Sequence, residues 1–356
     1  MIQVDNFRFL LFFFCFCSCV EQELEIKNTN VLNSSSNELI IYNWEEYTPQ
    51  NVIDQFEKET GIKVTLKTFQ TFDEKIAQLQ SKPDMCDLLI TDTEEAKSIF
   101  EPLKIIEPLD QSLFKNTQAY HSVFNESSRV SVPYCFGLMG LAVDTRYVDV
   151  AFQNYQFLLN SDLKGKISLL DEPIDLYYLS ANGAGFSVND THQKVFSKAK
   201  IFAKELKKLD PIFQDVYSGL DALIAGEVWV TMAYSGEALI YQKEHPHIKF
   251  IYPDERPMLW ADVVCVNGNA PNRNNAYRFL EFINTPQVAA EIAVQFKYAP
   301  GIIRAGKYMD REALNNPLIN IPKSLIENCE VALKTVENNS RMNEVYQILT
   351  SMEVER

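Results

Sequence analysis

Short apolar runs alternate with segments of helical periodicity in the first part of the chain. Residues 39–42, 62–67 and 87–90 have the pattern of strands, and residues 50–60 and 72–79 repeat apolar side chains at the spacing of a helix. This order of strands and helices predicts a parallel sheet with right-handed connections. Ligands of such sheets bind beyond the carboxyl ends of the strands, so the polar residues that follow each run are candidates for a site.

The same alternation returns in the second half of the chain. Residues 167–170 and 228–233 predict strands, and residues 194–209 and 220–225 predict helices between them. Pro173 follows the first of these strands and suits the first turn of a further helix. We interpret this half as a second α/β unit.

Two longer apolar strands, residues 136–143 and 258–266, predict the crossings between the two units. The chain would leave the first unit once and return to it once. Near the C-terminus, helices are expected over residues 322–335 and 341–350. The expected organisation is a first lobe of residues 38–137 and 261–308, a second lobe of residues 138–260, and C-terminal helices within residues 309–356 that cover the second lobe.

The N-terminus carries the one strongly hydrophobic segment of the sequence. Residues 7–19 have the length of a signal-peptide core, so residues 1–19 are set apart as a signal. Ser18 and Cys19, followed by a polar run over residues 20–37, are similar to a bacterial lipoprotein signal with its tether, which implies lipidation of Cys19. An ordinary cleaved signal is the alternative. Either form predicts export.

The charge balance and the cysteines narrow the classes of ligand. A formal net charge of -15 argues against nucleic acid as a partner and favours a cationic ligand. The cysteines beyond the signal are Cys86, Cys135, Cys265 and Cys329, and their spacing is not that of a metal site. We therefore expect neither a metal nor a cofactor. Cys135 and Cys265 are both assigned to the crossing strands, and whether they pair stays open.

Aromatic and acidic side chains follow the strands of both units, at residues 44–47, 92–94, 171–175 and 234–237. An ammonium group over an aromatic face gains about 0.5–2 kcal/mol. An ammonium–carboxylate pair at about 4 Å is worth roughly 4 kcal/mol at an effective dielectric of 20, but about 1 kcal/mol in bulk water. Two lobes that close and exclude water would therefore turn these residues into a site for an organic cation.

Several stretches of the chain resemble the periplasmic spermidine/putrescine-binding proteins of ABC importers. The resemblance extends over nearly everything after the tether and is carried by residues 42–47, 56–64, 87–90, 171–178, 226–236 and 260–262. It implies a two-lobed α/β fold, the type II periplasmic binding protein fold, in which each lobe has a central, mostly parallel sheet flanked by helices and crossover strands join the lobes. It further implies a monomeric protein, not an enzyme, that closes on a polyamine and delivers it to the transmembrane subunits of a permease.

The resemblance also implies roles for individual residues. Trp260 and Asp262 match an aromatic–acid pair that grips an amine, and Tyr298 matches a cleft aromatic. Glu237 matches an acid of putrescine binders, whereas Tyr234 stands where tryptophan is usual. The expected ligand-binding residues are Trp44, Glu45, Glu46, Tyr47, Asp92, Glu94, Glu172, Asp175, Tyr234, Glu237, Trp260, Asp262 and Tyr298.

Other interpretations of these residues stay open. Tryptophans are more often core residues than ligand platforms, and acids in loops are usually solvated. Asp175 and Glu237 are also consistent with acids that complement a helix dipole. Tyr177 and Tyr178 are similar to the paired tyrosines of ferric-ion binders, but we interpret them as helix packing.

For the whole chain, three other classes of protein are alternatives to a polyamine binder. They are a binder of another cation such as thiamine or a ferric ion, an exported hydrolase that uses an acid pair, and a lipid-anchored adhesin. The sequence has no Gly-x-Ser-x-Gly or His-Glu-x-x-His motif and only 4 histidines, which disfavours catalysis. An adhesin would leave the aromatic and acidic clusters unexplained.

Overall fold

The computed structural model describes residues 36–115, 117–150, 154–334 and 336–351. The predicted signal, Cys19 and most of the tether lie outside these ranges. Within them the strands are β1 Glu38–Trp44, β2 Lys63–Phe69, β3 Leu88–Asp92, β4 Ser131–Asp144, β5 Ile167–Leu170, β6 Ile212–Gln214, β7 Val230–Tyr234, β8 Ile248–Ile251, β9 Met258–Val266 and β10 Ala299–Pro300.

The α-helices of the described residues include short ones of one turn. They are α1 Gln50–Thr60, α2 Phe72–Ser81, α3 Thr93–Glu95, α4 Pro173–Gly183, α5 Gln193–Lys207, α6 Val216–Ala225, α7 Ser235–Glu244, α8 Arg273–Ile283, α9 Pro286–Phe296, α10 Arg311–Asn315, α11 Lys323–Asn328 and α12 Val336–Thr350. A π-helical turn, Ala96–Phe100, continues α3, and 3-10 turns occupy Ser122–Phe124, Tyr155–Leu159, Ser161–Leu163 and Ile303–Tyr308.

The local sequence explains where helices α1 and α2 begin and end. Helix α1 buries Val52, Ile53 and Phe56, which recur at helical spacing, and it ends at Gly61, whose positive φ of 73° suits a residue without a side chain. Helix α2 begins after Thr71, whose hydroxyl accepts a hydrogen bond from the backbone N–H of Glu74. The predicted elements of this part are present, within a few residues at their ends.

One mixed sheet runs through the described chain in the order β2-β1-β3-β9-β4-β7-β5-β6, with β8 and β10 paired to β4. Strands β1, β2 and β3 are parallel to one another, as are β5, β6 and β7. Strands β4 and β9 lie between these two groups and are antiparallel to their neighbours. They are the two predicted crossings. The ends of both parallel groups therefore meet across the middle of the sheet.

Strand β4 is longer than its predicted core of residues 136–143, since it begins at Ser131 and is buried throughout. Its pairing with β9 shifts register between Pro133 and Phe136. A proline has no N–H to donate to a ladder, and such irregularities are where a sheet tolerates one.

The core lies on both faces of the sheet because successive side chains of a strand point to opposite faces. Leu39 and Ile41 of β1 pack with α1 and α8 on one face. Tyr42, the next residue, packs with Phe69 and Leu79 on the other face. A separate cluster under β5 and β7 includes Tyr177 and Tyr178, both fully buried, which agrees with their interpretation as helix packing.

The C-terminal part differs from expectation. A helix over residues 322–335 was wrong in extent, because α11 ends at Asn328 and the backbone of Glu330 then forms hydrogen bonds with Pro257 and Leu259 at the start of β9. Residues 309–319 pack against α9, whereas α12 packs against α4 and α5. The boundaries of the two lobes stay a prediction.

Two further observations concern the described residues as a whole. Cys86, Cys135, Cys265 and Cys329 are free thiols, so the possible pairing of Cys135 with Cys265 does not occur. Burial raises the pKa of the Cys135 thiol well above its usual value. Across the ranges described, none of the helices combines the length and the apolar composition that a membrane crossing requires.

Candidate functional site

Most of the candidate residues lie where the two groups of parallel strands end beside the crossing strands. Trp44 is the last residue of β1, Asp92 of β3 and Tyr234 of β7. In the ladder between β3 and β9, Asp92 lies opposite Asp262. In the ladder between β4 and β9, Trp260 lies opposite Gly137. The fold thus brings together residues that are far apart in sequence.

Asp262 is the most constrained acid of this region. It is 9% exposed, and its carboxylate makes no hydrogen bond or ion pair within the described residues. Burial, and then the neighbouring charge of Asp92, raise its pKa to about 8. The Asp92 carboxylate accepts hydrogen bonds from the backbone N–H groups of Glu94 and Glu95 at 2.8 and 3.3 Å, and burial raises its pKa as well.

Two acids at the start of α4 belong to the second group of strands. Glu172 is the residue before the helix, and burial and then Asp175 raise its pKa to about 7. Burial raises the pKa of Asp175 to about 6. The Asp175 carboxylate accepts a hydrogen bond of 2.9 Å from the hydroxyl of Tyr234. A helix start would favour ionisation, so the raised pKa values indicate that burial outweighs the dipole.

Glu237 lies in the first turn of α7. Its carboxylate accepts a hydrogen bond from the hydroxyl of Tyr298, and burial nevertheless raises its pKa to about 7. An added Cβ at Gly236 would lie 2.6 Å from the Tyr298 ring and 2.3 Å from the carbonyl oxygen of Phe296. The start of α7 can approach Tyr298 this closely because that residue is glycine. We refer to Asp92, Glu172, Asp175, Glu237 and Asp262 as the five acids.

Aromatic rings line the same region. The Trp260 ring meets Tyr298 edge to face at 4.5 Å and Tyr234 at 6.0 Å between centroids. Tyr47 meets Tyr298 at 6.4 Å. An added Cβ at Gly137 would lie 2.8 Å from both Trp260 and Tyr298, so the strand beneath these rings must be free of a side chain. The indole N–H of Trp260 is buried and has no hydrogen-bond partner among the described residues.

Three charged residues of the site were not predicted. Each oxygen of the Glu95 carboxylate binds one lysine: Oε1 binds Lys334 at 2.6 Å, and Oε2 binds Lys75. Burial raises the pKa of Glu95, but the charges of Lys334 and then Lys75 outweigh it and bring the pKa to about 2. The fully buried Lys75 ammonium lies 4.8 Å from the centroid of the Trp44 ring. One signal was present in the sequence, because residue 75 falls on the apolar face of α2.

The side chains of three candidates form no hydrogen bond or ion pair with the five acids among the described residues. Glu45 and Glu46 are exposed, and Glu45 accepts a hydrogen bond from the side chain of Gln70 at 2.9 Å. Glu94 pairs instead with Lys97 at 2.9 Å and lines a cavity that contains none of the other candidates. Loop acids of this kind are ordinarily solvated or paired locally.

The arrangement of acids and aromatic rings can hold an organic cation. Across the part of the chain that the structure describes, no group of three or more histidine, cysteine, aspartate or glutamate side chains is arranged to bind a metal. The five acids are instead spread along a series of aromatic rings. That pattern suits an extended molecule with separate positive charges.

Comparison with known proteins agrees with this fold. Residues 51–306 match the family described as Bacterial extracellular solute-binding protein. The spermidine/putrescine-binding periplasmic protein of Escherichia coli is 27% identical over 323 residues, covering 88% of this chain and 92% of that protein. A putrescine-binding periplasmic protein of the same organism is 24% identical, covering 80% of this chain and 83% of that protein.

A solved structure shows the same fold. The putative spermidine/putrescine ABC transporter from Listeria monocytogenes aligns with a TM-score of 0.78 at 24% identity, covering 88% of this chain and 99% of that chain. The chain therefore has the two-lobed α/β fold of periplasmic binding proteins, as predicted. The family consists of binding components and not of enzymes, which confirms the expectation that the chain is not an enzyme. This protein belongs to the bacterial extracellular solute-binding proteins.

Proposed function

We propose that this protein is the solute-binding component of an ABC importer and that it captures a polyamine, spermidine or putrescine, in the cleft between its lobes. The observation that carries the proposal is the Asp262 carboxylate, which is buried beside Asp92 without a hydrogen bond or ion pair from the described residues. Ionisation of such a buried carboxylate is costly unless a cation pairs with it, which is why burial raises the pKa of Asp262 to about 8. A ligand ammonium would supply the missing charge.

The chemistry of a polyamine fits the remaining residues. Its ammonium groups can pair with acids of both parallel strand groups, Asp92 and Asp262 on one side and Glu172, Asp175 and Glu237 on the other. Its methylene segments can pack along the rings of Trp260 and Tyr298, which already pack against each other. A ligand that bridges the two groups favours a closed arrangement of the lobes, and closure in turn excludes water and strengthens each ion pair.

The names of the relatives support the same ligand class. The two Escherichia coli relatives are described as binding spermidine and putrescine, or putrescine alone. Their identity to this chain is low, so the support comes from the ligand class they share and from the acids that this chain places in its own site.

The remaining parts of the proposal concern location and partners. We infer that the chain is exported, that Cys19 is lipidated and anchors the protein through the tether of residues 20–37, and that a monomer hands its ligand to the transmembrane subunits of a permease. Partition of the full chain into a detergent phase, lost in Cys19→Ala, tests the anchor. The same partition for both proteins would refute it.

Isothermal titration calorimetry of the purified protein tests the ligand. We expect micromolar or tighter binding of spermidine or putrescine at pH 8. Asp262→Asn and Trp260→Ala should each weaken it at least about tenfold, because ammonium–carboxylate and ammonium–aromatic contacts are each worth one to several kcal/mol in a dry site. Glu45→Gln is the matched control, since Glu45 is exposed and should leave affinity unchanged.

Thiamine and ferric citrate are titrated in parallel. Binding of either one, together with no heat from any polyamine, would overturn the polyamine assignment while leaving the fold and the family in place.

A further inference from the structure

Lys334 brings a positive charge of the protein itself into the region of the five acids. It lies between the short pairing at Glu330 and helix α12, and its side chain is 17% exposed. Its ammonium binds Glu95 Oε1 at 2.6 Å. Its charge also lowers the pKa values of Asp92, Asp175 and Asp262, although burial keeps each of them raised. The Lys334 ammonium, which like a polyamine ammonium stands on a chain of methylenes, therefore acts on Asp92 and Asp262 and also on Asp175, which follows the other group of parallel strands.

Lys75 supplies a second ammonium beside the first. It binds the other oxygen of Glu95 and the hydroxyl of Thr91 at 3.0 Å, and it lies over the ring of Trp44. Two lysines thus share one fully buried carboxylate. Glu95 neutralises one of them. Burial lowers the pKa of Lys75, so Lys334 carries the remaining positive charge, and that charge can offset only one of Asp92 and Asp262, which the ladder places opposite each other.

Three of the five acids, Glu172, Asp175 and Glu237, have no ion pair of this kind in the described part of the chain. Among the described residues, no lysine, arginine or histidine forms an ion pair with Glu237, Glu172 or Asp175. The partners of Glu237 and Asp175 are the hydroxyls of Tyr298 and Tyr234. Glu95 is therefore neutralised by direct ion pairs, whereas Glu172, Asp175 and Glu237 have none within the described residues, although the charge of Lys334 also lowers the pKa values of Glu172 and Asp175.

We propose that Lys334 is a specificity-determining residue: it fills one ammonium position of the cleft, so that the site takes an α,ω-diamine in preference to a longer triamine. This inference rests on the proposed function, because it concerns which polyamine the same cleft selects. A diamine can place its two ammonium groups among the acids that have no ion pair within the described residues, Asp262 included. A third ammonium would extend toward Lys334 and Lys75, and repulsion between like charges in a site closed to water is strong.

Removal of the charge is the direct test. Lys334→Gln retains a hydrogen-bond donor for Glu95 and most of the side-chain length, and Glu95 keeps its pairing with Lys75. Putrescine and spermidine are titrated into the full chain at pH 8 by calorimetry. We expect the wild-type protein to bind putrescine at least about tenfold more tightly than spermidine, and Lys334→Gln to shift that ratio at least about tenfold toward spermidine.

Two controls accompany the variant. Lys334→Arg keeps the charge and should keep the diamine preference. Lys97→Gln removes a lysine that pairs with Glu94 and Glu126 outside the group and should leave the ratio unchanged. If Lys334→Gln lowers the melting temperature, the double variant Glu95→Gln, Lys334→Gln removes the pair as a unit and is titrated in the same way.

The possible results separate this inference from the proposed function. A wild-type preference for spermidine, or a ratio that Lys334→Gln and the double variant leave unchanged, overturns the role of Lys334 while polyamine binding stands. Absence of binding of either amine by every protein in the series refutes the proposed function, and the inference fails with it.

Discussion

The ligand-free protein should become more stable at neutral pH when Asp262 is replaced by asparagine. The pKa of Asp262 is about 8 in the folded protein, against an ordinary value of 3.8. The folded state therefore binds more protons than the unfolded state between about pH 4 and pH 8. Over that window the free energy of unfolding falls as the pH rises, by about 1.4 kcal/mol per pH unit for this one group.

The magnitude follows from the width of the window. A difference of about four pKa units corresponds to about 5 kcal/mol between pH 4 and pH 8, and most of it is already lost at pH 7. Asparagine has nearly the same shape and no charge to bury, so Asp262→Asn removes this penalty. We expect the variant to exceed the wild-type protein by a few kcal/mol at pH 7, which corresponds to a Tm higher by about 5–10 °C.

Urea unfolding of both proteins at pH 5, 6, 7 and 8 measures this difference. The difference between the two proteins should be smallest at pH 5 and should grow as the pH rises. Asp144→Asn is the control, because Asp144 is also fully buried but has a lowered pKa: burial raises it, and hydrogen bonds from Arg146 outweigh that effect. The stability from Asp144 is present at neutral pH and lost on acidification, so this control should be destabilised at pH 7. Parallel curves for the wild-type protein and Asp262→Asn would refute the reasoning.

Three further predictions concern the ligand and the rings around it. Polyamine affinity should rise from pH 6 to pH 8, because the pKa values of Glu237 and Asp262 are about 7 and about 8 and only the ionised carboxylates pair with ammonium. Calorimetry in two buffers of different ionisation enthalpy should show that binding releases protons. An affinity that does not depend on pH would contradict this prediction. Gly137→Ala should lower the free energy of unfolding in urea by about 1–3 kcal/mol and weaken polyamine binding, since the added methyl group would lie 2.8 Å from the rings of Trp260 and Tyr298. Gly306→Ala is the control and should change neither, because nothing among the described residues lies within 4 Å of its added atom. Tyr298→Phe removes the hydroxyl donor that lowers the pKa of Glu237, so the pH midpoint of polyamine binding should move upward. An unchanged midpoint in the same titrations would exclude an effect of the Tyr298 hydroxyl on Glu237.

The fold was predictable where one element carries its own signals. Val52, Ile53 and Phe56 form the buried stripe of α1, and Gly61 ends that helix with the positive φ that favours glycine. The crossing strands were recognisable because they are long and apolar, and this in turn reflects burial at the centre of the sheet. The segment after Asn328 was not predictable, because its backbone pairs with Pro257 and Leu259, which are about seventy residues away.

The candidate site was predictable for residues that follow a strand or interrupt an apolar one, and unpredictable for residues that only the tertiary fold brings together. Trp260 and Asp262 stand out because an acid inside an apolar strand needs a polar environment. Lys334 has no local signal, since Glu95, its partner, is 239 residues away. Glu94 and Glu95 are neighbours in sequence, but α3 turns Glu94 toward Lys97 and Glu95 toward the buried lysines. Sequence proximity to Asp92 therefore could not show which of these two side chains points toward the lysines.

The distribution of charge in this cleft bears on how a polyamine could be both captured and released. Four of the five acids have pKa values between about 6 and 8, namely Glu172, Asp175, Glu237 and Asp262. Near neutral pH these carboxyl groups are partly protonated and must lose their protons before they pair with an ammonium group. The free energy of deprotonation therefore offsets part of the free energy of each ion pair. Affinity is thereby held below what four buried ion pairs would give, and it depends on pH. A binding protein that must release its ligand benefits from that moderation, and the two lysines on Glu95 add to it by neutralising that buried carboxylate.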